Sequence, residues 1–230
     1  MKQVQYDGFE LEHFDSAKNF RSYQINLLKP YLKEDFLEVG AGSGGLANLY
    51  KKYIKKFTLI EPDKNLYTLL KKKFKDKKKN IIIKNKKIKN IKNKFDVIIY
   101  FDVLEHIKND LNEVRNAKKK LKKDGYLIFN VPAFQMFYND FDKRVGHFKR
   151  YNKKDFYNIS RITKLKIDKI FYYDSIGFLF LILSKLFSLD QSEIKNKIIL
   201  WNLLIPISKL IDLITFNSFG KSLLCVFKND

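Results

Sequence analysis

Phe36-Leu37-Glu38-Val39-Gly40-Ala41-Gly42-Ser43-Gly44-Gly45 decides the fold. An apolar run that ends on an acid and breaks at once into glycines reads as a first strand, its turn, and a helix starting near Leu46. Glycines at 40, 42 and 44 take backbone angles closed to other residues and let a ligand lie against the main chain. The helix that follows is expected to point N–H groups at that ligand. The stretch therefore reads as a nucleotide-cofactor loop, but its spacing leaves the cofactor open. Gly40, Gly42 and Gly45 also satisfy the three-glycine pattern of dinucleotide sites. Glu38 narrows the choice: it sits where a carboxylate receives an ammonium group, which a cofactor carrying an amino acid has and NAD lacks. Phe57-Thr58-Leu59-Ile60-Glu61 reads as a second strand ending in an acid, about 20 residues after the glycines, where a carboxylate takes ribose hydroxyls. The plain alternative is a tight turn with a surface glutamate.

Upstream, Ala17, Phe20, Ile25, Leu27, Leu28 and Tyr31 fall at helical spacing with Pro30 near the end. Residues 1–32 are thus expected to form an N-terminal helical segment. Downstream the alternation continues: helix 45–54, strand 57–61, helix 63–75, strand 81–83, strand 95–100 and helix 109–121. An Asp124-Gly125 turn then enters a strand over 126–131. Alternating strands and helices imply a parallel sheet covered on both faces. Two further strands are expected at 165–173 and 222–228. Between them, residues 176–216 hold two runs that are apolar almost all round, each shorter than the ~20 residues that span a bilayer. They read as a helical insertion, either packed on the core or serving as a lid or membrane-facing surface for an amphiphilic substrate.

Ligands of such sheets lie beyond the carboxyl ends of the strands. The candidates there are Gly40 to Gly44, Glu61-Pro62-Asp63, Asn85 to Lys87, Phe101 to His106, and Pro132 onward. Asp102-Val103-Leu104-Glu105-His106 directly follows the fourth strand, where Glu105 and His106 either cap the next helix or belong to a site. After the fifth strand, Asp142 to Tyr151 carries Arg144 and Arg150, two of only five arginines in a lysine-rich chain. Arginine there suggests a need for its planar, multidentate donor geometry. His147, with an ordinary pKa of about 6.5, can accept a proton at working pH. The alternative is a loop pinned by a salt bridge from Asp142 to an arginine.

The 230 residues suffice for one α/β domain with an insertion, and leave little room for two enzymatic domains. Forty-six Lys+Arg against 25 Asp+Glu give a net charge of +21. The lysines are scattered, which favours a solvated surface over a nucleic-acid stripe, and no aromatic RNA-binding motif is present. Nucleic acid is therefore not an expected partner. Cys225 is the single cysteine, so no internal disulfide or cysteine metal cluster is possible, and no metal site is expected. The N-terminal MKQVQYDGFELEHFD carries acids and no apolar core, so a secretory signal is not expected and the cytoplasm is the default. Lysines flanking the apolar insertion are compatible with peripheral contact at the inner face of a membrane.

FLEVGAGSGG, LIEPD, FDVIIYFDVLEHI and LKKDGYLIFNVPA, in that order and spacing, resemble the successive motifs of class I S-adenosylmethionine-dependent methyltransferases. NFRSYQINLLKPYL, FDKRVGHFKRYNKKDF and FGKSLLCVFK further resemble a bacterial subgroup encoded beside, or fused to, glycosyltransferases. The resemblance covers nearly the whole chain. It implies a Rossmann-like seven-stranded α/β sheet, mostly parallel with an antiparallel last strand, and a helical insertion between strands 6 and 7. It implies S-adenosylmethionine as cofactor, its carboxylate and amino group near Arg21, Glu38, Gly40, Ala41, Gly42 and Gly44. The ribose is expected on Glu61, with Pro62, Asn85 and Phe101 nearby. The acceptor is expected to be a small molecule or glycolipid, methylated on a sugar hydroxyl. His147 is the first candidate base, followed by His106 and Asp102, and Arg144, Arg150 and Tyr151 are the candidates for holding the acceptor. Methylation of a quinone-like molecule, or of RNA, are the alternatives. The chain departs from the family at Asn85, where an aspartate is common. It departs from the subgroup at Asp174-Ser175-Ile176-Gly177, where the subgroup carries Asn-Leu-Pro-Gly.

Overall fold

The apolar runs become strands where both their faces are covered. β1 (Phe36–Val39) and β2 (Phe57–Ile60) are buried at every residue, as a parallel sheet between helical layers requires. With β3 (Ile81–Lys84), β4 (Phe95–Phe101), β5 (Leu121–Pro132), β6 (Lys166–Tyr173) and β7 (Ser222–Lys228) they form one seven-stranded sheet. Its order is β3-β2-β1-β4-β5-β7-β6. β1 to β5 pair in parallel, and β7 runs antiparallel to both β5 and β6. The expected Rossmann-like sheet with an antiparallel last strand is present. This computed structural model describes residues 16–75, 80–187 and 194–230. Of the N-terminal segment, residues 1–15 lie outside the described residues, and α1 (Lys18–Leu28) with a 3-10 turn at Lys29–Tyr31 forms the rest.

The helices are α2 (Gly45–Tyr50), α3 (Lys64–Lys73), α4 (Asp110–Lys118), α5 (Asp140–Arg144), α6 (Lys153–Thr163), α7 (Ser175–Phe187) and α8 (Ile194–Ile214). Local capping sets several starts: Asp63 accepts from the N–H groups of Asn65 and Leu66, and Asn139 with Asp142 makes a capping box at α5. The sequence reading did not foresee α5 or α6, its helix over 109–121 ends at Lys118, and two further boundaries differ. α2 stops at Tyr50, whose side chain turns into the core. β5 starts at Leu121, before the Asp124-Gly125 pair, because that pair forms a bulge between two paired segments and Asp124 sits at φ 59°.

One face of the sheet packs Phe36, Tyr50, Leu59 and Val97 against Phe20 and Trp201. The other packs Leu37, Ile98, Tyr100 and Phe129 against Tyr151 and Phe156. The insertion is fastened to the first face by buried polar groups. Asp212 accepts from the Tyr23 hydroxyl at 2.9 Å and from the N–H groups of Asp174 (2.8 Å) and Ser175 (3.0 Å). Asp174 accepts from Trp201 Nε1 at 3.0 Å and from the Gly177 N–H at 2.9 Å. The departure at 174–177 is therefore the start of α7, tied to α8. The insertion packs on the core along Trp201 and Ile205 and turns Leu203, Leu210, Leu213 and Ile214 outward. No described helix is long and apolar enough to cross a membrane.

Candidate active site

At the end of β1, Gly40, Gly42 and Gly44 all have positive φ, at 68°, 54° and 80°. At Gly40 the need is double, because a Cβ there would lie 2.7 Å from Val103 Cγ2, on the segment leaving β4. The N–H groups of Gly40 and Ala41 donate to the Ile60 carbonyl, at 2.8 and 3.1 Å, and hold the turn against β2. Glu61 is buried, its Oε2 accepting from the Gly42 N–H and its Oε1 from the Asp63 N–H, each at 2.9 Å. Burial raises its pKa, and the two N–H bonds oppose the shift. Asn85 donates from Nδ2 to the carbonyls of Glu61 (2.8 Å) and Pro62 (3.0 Å), so it braces the segment that carries Glu61. Pro62 is exposed, and Phe101 is buried at the end of β4. Glu38 is buried and accepts from the Tyr50 hydroxyl at 2.5 Å, which ties α2 to β1. Arg21, on α1, donates from Nη1 to Gln24 at 2.7 Å and lies 3.8 Å from Asp102.

Beside this loop, over β4, β5 and β7, opens a small cleft of about 130 Å³. Its wall is organised by Asp142, which is fully buried. Asp142 accepts from Arg150 Nε at 3.0 and 2.9 Å and from the Asn139 N–H at 3.0 Å, and its Oδ1 lies 2.7 Å from His147 Nδ1. Burial works against its ionisation, but the His147 hydrogen bond and the Arg150 charge outweigh it and hold the carboxyl below the ordinary range. With Nδ1 anchored, His147 Nε2 faces the opposite side, 4.0 Å from Glu105 Oε1. The His106 ring stands edge to face with it at 4.7 Å between centroids. Burial, then the neighbouring His147, depresses the His106 pKa to about 4, with a hydrogen bond to the Gly146 backbone opposing. Glu105 is 1% exposed and its Oε2 has no hydrogen-bond partner. Burial and the charges of Asp102 and Asp142 push its carboxyl well above the ordinary range.

Arg21, Asp102, His106, His147 and Arg150, far apart in sequence, thus share one cleft. Two of the expected acceptor contacts do not join them. Arg144 ends the short α5 at the exposed surface. Tyr151 is fully buried, its hydroxyl within hydrogen-bond distance of the Leu104 carbonyl (3.2 Å) and Asp110 (3.1 Å), because its backbone bridges to Ala133 and turns the ring into the core. Glu105 and His106 do not cap the next helix. They form a 3-10 turn, and Asn109 caps α4. The salt bridge weighed as a purely structural alternative exists, between Asp142 and Arg150, and it is part of the cleft wall. Sequence reasoning missed Asp142 as the group that orients His147, and it missed Lys221. Lys221 lines the cleft above the Trp201 ring, its pKa lowered by burial. The FGK motif before β7 was the available signal for Lys221.

A family model described as a methyltransferase domain matches residues 11–169. No curated protein matches the chain by sequence. Among solved structures, the N-methyltransferase NodS of Bradyrhizobium japonicum, in complex with S-adenosylhomocysteine, superposes with a TM-score of 0.58 at 15% identity, over 92% of this chain and 86% of its own. An S-adenosylmethionine-dependent methyltransferase of Clostridium acetobutylicum gives 0.59 at 12% identity, over 92% and 91%. The phosphoethanolamine N-methyltransferase 2 of Haemonchus contortus, in complex with S-adenosylmethionine, gives 0.64 at 13% identity, over 90% of this chain and 52% of that longer protein. At these identities the likeness is one of fold.

Proposed function

This chain belongs to the methyltransferase-domain family and its cofactor is S-adenosylmethionine; we propose that its acceptor is a hydroxyl group of a sugar or glycolipid intermediate. A turn of three positive-φ glycines beside a buried acid at the end of β2 suits a nucleoside cofactor carrying an amino acid. In this reading Arg21, Glu38, Gly40, Ala41, Gly42 and Gly44 serve the amino-acid end, Glu61 the ribose, and Pro62, Asn85 and Phe101 the neighbouring wall. The cofactor supplies an electrophilic methyl group on a sulfonium. The protein has to align the acceptor, exclude water and take a proton.

The observation that carries the hydroxyl assignment is the His147–Asp142 pair in the cleft wall. Its Nδ1 is fixed on a buried carboxylate and its Nε2 is turned toward Glu105 in the cleft wall, the arrangement of an oriented imidazole. A neutral amine brings its own lone pair and needs no such base. His147→Ala, assayed with labelled cofactor against sugar and lipid-linked sugar acceptors, is expected to lower turnover about 10²- to 10⁴-fold while cofactor affinity holds. An equal loss of cofactor affinity would make the residue structural. The resemblance to the glycosyltransferase-associated subgroup favours the sugar.

A lipophilic, quinone-like acceptor is the second reading. Its support is the outward apolar face of α8, together with α7, whose Phe178 packs on Phe134 and Phe137 beside the acceptor loop. Either lipid-bearing acceptor would bring this face to a membrane surface.

A further inference from the structure

Glu105, His106 and His147 converge in the cleft wall, each offering one ligand atom, all within 4.8 Å of one another. Glu105 is 1% exposed and leaves Oε2 without a hydrogen-bond partner, an arrangement that costs free energy unless a positive group faces it. Asp102 and Asp142 add negative charge around Glu105, offset in part by Arg150, whose Nε–H is given to Asp142.

Each ring also has a hydrogen-bond partner outside the cluster, as metal-binding histidines do. His147 sets Nδ1 against the Asp142 carboxylate, and His106 is hydrogen-bonded to the Gly146 backbone. Such outer partners fix the tautomer and present the second nitrogen, lone pair outward, to an ion.

We infer that Glu105, His106 and His147 bind one divalent first-row transition-metal ion through a carboxylate oxygen and two imidazole nitrogens. Two imidazoles and one carboxylate suit Mn²⁺, Fe²⁺, Co²⁺ or Zn²⁺, whereas Ca²⁺ takes oxygen ligands alone. Two ligands at about 2.0–2.2 Å from a tetrahedral ion stand about 3.3–3.6 Å apart. The 4.0 Å from His147 Nε2 to Glu105 Oε1 needs a contraction of roughly 0.4–0.7 Å, and the 4.8 Å bound on the three atoms up to about 1.5 Å, on closing around an ion. Three protein ligands leave a position open toward the cleft for water or an acceptor group. Metal binding does not rest on the hydroxyl reading; with an ion bound His147 is a ligand, and the base role proposed for it belongs to the ion-free protein.

The test uses the full chain, stripped with chelator and titrated with Co²⁺ by calorimetry and visible absorption, without cofactor or acceptor. We expect one equivalent to bind, with ligand-field bands that Zn²⁺ displaces. Because the chain holds three histidines, His13, His106 and His147, the nitrogen ligands are assignable by single variants. His106→Gln and His147→Gln should each weaken binding about 100-fold or more, and Asp142→Asn, one shell out, about 10- to 100-fold. Glu105→Gln should abolish binding and raise the melting temperature of the stripped protein, since it removes a buried carboxylate with a bare oxygen. The inference is overturned if no saturable binding occurs below about 1 mM, or if binding persists undiminished in the Glu105, His106 and His147 variants. Metal binding without hydroxyl methylation would retire the acceptor proposal and leave this one standing. Hydroxyl methylation by a protein that binds no ion would do the reverse.

Discussion

Asp142→Asn tests the cleft wall most directly, because it keeps the side-chain shape and removes the charge that Arg150 and the His147 ring share. The carboxylate receives Arg150 Nε on both oxygens, the His147 ring and the Asn139 N–H, while the buried Arg150 Nη1 has no hydrogen-bond partner. Both Asp142 and Arg150 are buried. Removing one member of a buried ion pair typically costs about 3–5 kcal/mol, much of it the stranded charge. For a chain of this length, at about 2–4 °C per kcal/mol, the melting temperature should fall by about 6–20 °C. His147 should at the same time lose the acceptor that fixes its tautomer, lowering turnover by about 10² or more. Among the described residues the hydrogen bonds of Asp142 go to Asn139, His147 and Arg150 and none to the glycine loop, so affinity for S-adenosylhomocysteine should hold. Calorimetric melting, single turnover with methyl-labelled cofactor and a product titration read the three quantities separately. A variant that melts within about 1–2 °C of the parent and turns over normally refutes the charge arrangement. A turnover loss matched by an equal loss of cofactor affinity refutes the division between cofactor loop and acceptor wall.

Three further outcomes are expected. S-adenosylhomocysteine at 100 times its Kd should stabilise the protein by about 2.7 kcal/mol, NADH should not, and Glu61→Ala should weaken the former by about 1.5–3 kcal/mol per lost charged hydrogen bond; calorimetric titration measures both ligands, and unchanged affinity in the variant would move the ribose elsewhere. His106 has a folded pKa of about 4 against about 6.5 unfolded, so its contribution is present above pH 6.5 and lost as pH falls through 4. The shift corresponds to about 3 kcal/mol. Urea unfolding at pH 7 and pH 4.5 should show that decline in the parent and less of it in His106→Asn. Glu105, with its raised pKa, acts in the opposite direction: its contribution is full below the unfolded value near 4.3 and is lost as pH rises through the folded one, which makes the His106 variant the necessary control. Finally, the protein should sediment with anionic vesicles and release in high salt or carbonate, and Leu203→Asp with Leu210→Asp should abolish the association. Resistance to carbonate would mean insertion, which the helices do not support.

The strand and helix pattern, the glycine turn and the acid at Glu61 were legible from sequence because each is locally specified. A three-glycine turn at positive φ is imposed by the residues that form it, and a run such as Val97-Ile98-Ile99-Tyr100 is apolar because both its faces are covered. The bulge at Asp124-Gly125 was read as a turn because the same pair serves both conformations, and only pairing with β4 distinguishes them.

The acceptor wall was legible in its members and not in its arrangement. His147 and Tyr151 stand four positions apart on one loop, yet one faces the cleft and the other the core. That outcome follows from the bridge of Tyr151 to Ala133, which the loop's composition does not encode, and from the Asp142 to Arg150 ion pair, which the sequence offered only as a structural alternative to a site. Likewise, the apolar stretch 198–205 announced a helix, but which side would face solvent was set by Trp201 reaching Asp174 and by Asp212 reaching Tyr23, 189 positions away. Sequence by itself determined the elements and the cofactor loop, because backbone angle, periodicity and capping act over a few residues. Tertiary structure alone decided the charge balance of the cleft and the outward face of the insertion, because burial and electrostatic environment arise only when distant segments meet.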